Sequence, residues 1–299
     1  MSTIITPRSL KEASVRLPSS AKLIDALHNA LKQPDVDINQ VVKLMTSDVA
    51  ISTRLFRMAN TASATRGETV TSIDQALAWL GIAAAYRATC ATVSARLCEQ
   101  NLPLYGISAE RLFLNSIAMA VGMEILATQA DLDPKSGYTI GLLHNLGRIL
   151  IQRVALHHEI PAGSADLPDI HAVILWERET FGCTHAEAGA MLLSLWGLNP
   201  IFGAVIAHQH DLDRVGRPEI RRWSAMLHLT AALVAGTDFG LGVVSDAWPI
   251  SDTTFAEAGL PSMDIIKLSG DISEATRDLC HQCGLSLPAH PSTSYGGLG

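Results

Sequence analysis

Ser72-Ile-Asp-Gln75 and Thr184-His-Ala-Glu187 carry the same punctuation. In each, a hydroxyl residue stands three positions before an amide or carboxylate, and apolar residues follow at helical spacing. In a capping box, two such side chains satisfy each other's backbone N–H groups at the first turn of a helix. Helix starts of this kind recur along the chain. Asp37, Ser47 or Asp48, Ser108 and Asp169 precede further periodic runs, and Pro200 and Pro218 suit first turns. Gly81 and Gly182 are matching stops. Convincing strand alternation is almost absent. A chain punctuated in this way folds as packed helices, so the expected class is all-α.

The spacing predicts helices over Ala21–Leu31, Ile38–Met45, a third from Ser47 or Asp48 to Asn60, and a fourth from Ser72 to Gly81. Further helices are expected over Ile82–Cys98, Ser108–Leu126, the apolar run Tyr138–Leu156, Asp169–Glu179 and Ala186–Leu195. Ile201–His208, Pro218–Ala235 and Ser273–Cys283 complete the set, with turns at Asp131–Gly137 and Pro161–Pro168. Asn101–Gly106 contains Pro103 and Gly106 and is a natural hinge. It divides the chain into an N-terminal helical subdomain (17–105) and a second helical subdomain (106–283), with a flexible tail at 284–299.

Composition narrows the function. Hydrophobic residues make up 48%, charged residues 17% and aromatics 5%, which fits a globular helical protein. The net charge of -7 makes a poor nucleic-acid binder, because phosphate contacts lean on Lys and Arg. The densest basic group, Arg214, Arg217, Arg221 and Arg222, reads as a solvated helix face. Five scattered cysteines read as reduced thiols, and Cys280-His-Gln-Cys283 lacks the second ligand pair of a zinc site. Met1–Arg16 has no apolar signal-peptide core, and Ala225–Val244 is interrupted by His228 and Asp238. A cytoplasmic location with neither nucleic-acid nor membrane partner is expected. No Walker loop, dinucleotide fingerprint or G-x-S-x-G elbow is present. Met45, Met58, Met119, Met123 and Met191 read as core packing.

The chemistry-bearing stretch is Gly141-Leu-Leu-His144-Asn145-Leu-Gly147. A histidine followed by an acid on an apolar helix would be a metal-ligand pair. Here the acid is an amide, which offers a neutral carbonyl oxygen in place of an anionic one. His185 and His208 lie on other predicted helices and converge with His144 only if a bundle brings their faces together. His157, His158 and His210 read as ordinary histidines.

These segments, together with Glu179-Thr-Phe-Gly182-Cys-Thr-His185, Leu195-Trp196-Gly-Leu-Asn-Pro200 and His208-Gln209, resemble the HDOD family. That family is related in fold to the HD superfamily of metal-dependent phosphohydrolases. Leu17-Pro18, Ser47–Ala62 with Arg54 and Asn60, and Ser72-Ile-Asp-Gln-Ala-Leu-Ala-Trp-Leu-Gly81 resemble its N-terminal motifs. The resemblance runs from Leu17 to Cys283. It implies an N-terminal helical subdomain packed on an HD-like bundle. It also implies that Asn115, His144, Asn145, His185, His208 and Gln209 mark a vestigial pocket, with a lost aspartate near Thr230-Ala231. Without carboxylates to hold paired cations, no metal, cofactor or catalysis is expected. If a metal is held at all, the ligands would be His144, His185 and His208. The resemblance implies a bacterial signal-transduction regulator, working through a protein partner or a small signalling ligand. The alternatives are a divergent metal-dependent phosphohydrolase acting on a nucleotide and a non-catalytic nucleotide-binding module.

Overall fold

The computed structural model describes residues 21–64, 69–160, 167–242, 250–261 and 263–285, with Ile5, Ser9, Glu12, Gly163 and Leu287. The Leu17-Pro18 motif, nearly all of the N-terminal stretch, residues 161, 162 and 164–166 of the Pro161–Pro168 loop, and the tail after Leu287 lie outside the described residues. The helices are α1 (Ala21–Leu31), α2 (Ile38–Thr46), α3 (Val49–Ser63), α4 (Ile73–Leu97), α5 (Ala109–Gln129), α6 (Pro134–Leu143) and α7 (Leu146–His157). After them come α8 (Ile170–Phe181), α9 (His185–Leu195), α10 (Pro200–Ala207), α11 (Pro218–Ala235), α12 (Asp252–Ala258) and α13 (Ile265–Gln282). Among the described residues there is no strand, only an isolated bridge between Leu102 and Ile107.

Both capping boxes form, and Asp37, Asp48, Ser108 and Asp169 each accept from backbone N–H groups at a helix start. Gly182 ends α8 in the left-handed conformation. Several expected boundaries move. Gly81 has φ +76° and kinks α4, and the helix resumes on its far side. Asn60 does not end α3; its side chain instead takes the N–H (2.8 Å) and the carbonyl (3.1 Å) of Val70. Asp133 caps α6 where a turn is expected, with Pro134 in the first turn. The run Tyr138–Leu156 is not one helix, because the chain breaks between α6 and α7 at His144 and Asn145. α13 starts at Ile265, a residue pattern broken by Lys267 and Ser269, and α12 has no counterpart in the predicted set. Arg221 and Arg222 are only half-exposed: Arg221 pairs with Glu257 (3.1 Å), and Arg222 donates to the Ala130 carbonyl (2.6 Å). Met191 is 41% exposed, so only the other four methionines are core residues.

α5 is the axis of the packing. α6, α11 and α13 lie against it, while α7 packs on α9, α9 on α10 and α10 on α11. α3 pairs with α4, and α1 rests on α2, α4 and α6. Two of the approaches are close enough to need glycine. A Cβ at Gly141 would lie 2.3 Å from the Met119 carbonyl oxygen, so α6 sits almost backbone-on-backbone against α5. A Cβ at Gly147 would lie 1.7 Å from the His185 carbonyl oxygen, which brings the start of α9 onto α7. α4 and α5 are long and apolar enough to cross a membrane, but 56% and 72% of their most apolar windows are buried within the protein. Their apolar surface is spent on the core. All five cysteines are buried free thiols, and burial pushes Cys280 up to about 12.

Candidate functional site

The Gly141 and Gly147 contacts hold the α6–α7 break against the middle of α5 and the first residue of α9. A cavity of about 10 Å³, measured as space for the centre of a water, lies at this junction. Asn115 and Met119 of α5, His144 and Asn145 at the break, Arg148 of α7, His185 of α9, Gln209 after α10 and Ala231 of α11 line it. Five of the six expected pocket residues therefore meet, and Ala231 joins them. His208 does not line the cavity. Its Nδ1–H donates back to the Ala204 carbonyl of α10 (2.8 Å). The α10 end turns so that Gln209 faces the cavity and the ring of His210 lies on His185.

The two asparagines are joined. Asn145 Nδ2 donates to Asn115 Oδ1 (2.9 Å), and Asn115 Nδ2 donates to the Phe239 carbonyl (3.1 Å). Arg148, 4% exposed, donates to Asn145 Oδ1 (3.3 Å), and its guanidinium stands 5.8 Å from the Tyr105 ring centre. Arg148 follows Asn145 by three residues, one helical turn, which places both side chains on the same face of the chain.

A second network supports His185. Glu177, fully buried, accepts from the His185 backbone N–H (2.7 Å), from His185 Nδ1–H (2.9 Å) and from the Tyr105 hydroxyl (2.6 Å). Because Nδ1 of His185 carries its proton, Nε2 is an acceptor, and His210 Nε2–H donates to it (2.8 Å). Burial pushes His185 and His210 well below the ordinary histidine range, and the Arg148 charge adds to this. The His185–Glu177 contact is thus a neutral imidazole donating to a carboxyl, not an ion pair. Burial raises Glu177 to about 7 against the hydrogen bonds from Tyr105 and His185. His144 donates through Nδ1–H to the Gly141 carbonyl (2.7 Å), one of the last carbonyls of α6, and burial lowers it to about 3.

This arrangement does not suit a divalent metal. A catalytic divalent site usually has about three protein ligands, histidine nitrogens with or without a carboxylate, and here His185 Nε2 is taken by His210. The amide oxygens of Asn115 and Asn145 are also engaged, and a fixed guanidinium stands on the cavity wall. Among the described residues no group of three His, Cys, Asp or Glu side chains is placed to hold a metal ion. Glu177, Tyr105, Arg148 and His210 were not legible as site residues. Only Arg148 carried a signal, its one-turn spacing from Asn145.

An HDOD domain model matches residues 17–212, ending well before Cys283. The chain is 26% identical over 208 residues to an uncharacterized protein of Treponema pallidum (strain Nichols). That alignment covers 66% of this chain and 37% of the relative, so the chain spans about a third of its length. Among solved structures, an HDOD domain protein of unknown function from Geobacter sulfurreducens matches with TM-score 0.63 and 18% identity, over 93% of this chain and 96% of that one. A candidate signal transduction protein from Marinobacter aquaeolei VT8 gives TM-score 0.69 at 18% identity, over 93% of this chain and 64% of that longer one. A candidate phosphohydrolase from Shewanella amazonensis SB2B gives 0.64 at 23%, over 92% and 98%. At these identities the likeness is one of fold.

Proposed function

The chain belongs to the HDOD family, and on that premise we propose that it is a non-catalytic regulatory protein of a bacterial signalling pathway, acting in the cytoplasm by binding a protein partner. The observation that carries this reading is the Asn115–Asn145–Arg148 network. A two-metal phosphohydrolase needs anionic oxygens to hold its cations together and a metal-bound water of lowered pKa. Here Asn145, standing where the metal-ligand pair would have its acid, is an amide bonded to a second amide, Asn115, and the Arg148 guanidinium supplies positive charge from within. The signal-transduction description of the Marinobacter aquaeolei neighbour supports the signalling reading.

Cavity size argues against a nucleotide bound at this site. Pockets for small molecules usually run to roughly 300–1,000 Å³, far beyond the space at Gln209. The alternative, a divergent phosphohydrolase, draws on the Glu177–His185 pair, since a carboxylate orienting an imidazole is how many metal-ligating histidines are held. The test is hydrolysis of nucleotide phosphodiesters by the purified protein with manganese, zinc or magnesium added. No turnover above background is expected. Metal-dependent turnover that disappears in His144→Ala would overturn the proposal.

A further inference from the structure

Gln209 is 0% exposed, yet neither its amide nitrogen nor its amide oxygen has a protein partner among the described residues. It faces the central cavity beside His144. Nearly all buried polar side chains find a partner, so an orphaned amide aimed into a cavity points to something bound there. His144 has the complementary need. Its Nδ1–H is committed to the Gly141 carbonyl, so Nε2 presents a bare lone pair. Arg148 adds N–H donors to the same wall.

We propose that the cavity binds a single water molecule, which donates to His144 Nε2 and bridges it to the Gln209 amide. The inventory selects water over other small species. A divalent cation would find only His144 Nε2 and one amide oxygen, next to the Arg148 charge. Ammonium meets the same repulsion. A halide would suit Arg148 but would face the His144 lone pair. Water donates and accepts, so it serves the Gln209 amide in either orientation. It also fits the room: one water needs about 10–15 Å³ on this measure, and the cavity offers about 10 Å³. The inference rests on the non-catalytic reading and specifies what occupies the place where the superfamily's metal chemistry would sit.

The test is a high-resolution crystal structure of the full chain, with bromide and manganese soaks and a parallel Gln209→Met crystal. The expected result is one oxygen-sized peak within about 2.6–3.2 Å of both His144 Nε2 and the Gln209 amide. Neither soak should give an anomalous peak in the cavity, and Gln209→Met should lose the oxygen peak while the surrounding helices superpose. An empty cavity, a Gln209 turned out to solvent, or a bromide peak would overturn the water site and leave the non-catalytic proposal standing. A manganese peak would overturn both.

Discussion

Gly147→Ala attacks the contact that assembles the cavity. An alanine Cβ at this position would lie 1.7 Å from the His185 carbonyl oxygen and 2.7 Å from the Gly189 nitrogen. A carbon and a carbonyl oxygen rest at roughly 3.3–3.6 Å, so α7 and α9 must part by about 1.6 Å or more. Neither helix is free to shift alone. α7 is tied to α5 through Asn145 and Asn115, and α9 is tied to α8 through His185 and Glu177. Overpacking typically costs about 1–3 kcal/mol, and backbone on both sides of the clash puts this variant near the top, at about 3 kcal/mol. That is a large share of the roughly 5–15 kcal/mol that holds a domain folded. Urea denaturation with linear extrapolation reads the loss directly. Gly270→Ala is the control: it lies within α13 with no atom within 4 Å of its ideal Cβ, and replacing a helix-interior glycine there should stabilise by about 0.5–1 kcal/mol. A Gly147→Ala protein within about 1 kcal/mol of wild type would refute the close-packed crossing of α7 and α9.

Other outcomes follow from the same geometry. Glu177, raised to about 7 by burial, binds a proton in the folded state at pH values where the unfolded carboxyl has lost it. Its contribution is therefore full below the ordinary carboxylate range and falls as pH rises to about 7, by up to about 1.4 kcal/mol per pH unit. Subtracting the pH–stability curve of Glu177→Gln from that of wild type should isolate this fall; a flat difference between pH 4.5 and 7 contradicts it. Asn60→Ala removes the side chain that holds both backbone polar groups of Val70, and should cost about 2 kcal/mol in thermal or urea unfolding, at about 1 kcal/mol per bond. Asn145→Asp places an oxygen against Asn115 Oδ1 where an N–H now donates. It should destabilise by about 1–3 kcal/mol without producing phosphodiesterase turnover, and an equally stable variant that turns over substrate would contradict the role given to the amide pair.

Local rules carried the fold far. Caps at Asp37, Asp48, Ser72, Ser108, Asp169 and Thr184 act within one turn of chain, so their residue types place the helix starts directly. Breaks without a local signature were illegible. The α6–α7 break at His144 and Asn145 lies inside a continuous apolar run, and it follows from Gly141 and Gly147 docking on two different helices. The cavity was legible in part for the same reason. Asn115, His144, Asn145, His185 and Gln209 could be matched through motif order, whereas Glu177 and His210 enter through contacts between helices that no spacing encodes. His208 and His210 show how sensitive this is: both follow α10 closely, but the ring of one bonds back to its own helix and only the other reaches His185.

The most direct test is the metal stoichiometry of the purified 299-residue chain, by calorimetric titration with manganese and zinc backed by elemental analysis. With the amides of Asn115 and Asn145 joined, His185 Nε2 engaged by His210 and Arg148 on the wall, the expected result is no stoichiometric binding, and no difference between wild type and His144→Ala. One equivalent of metal, bound at micromolar concentration or tighter and lost on His144→Ala, would contradict the claim that this scaffold works without a metal centre.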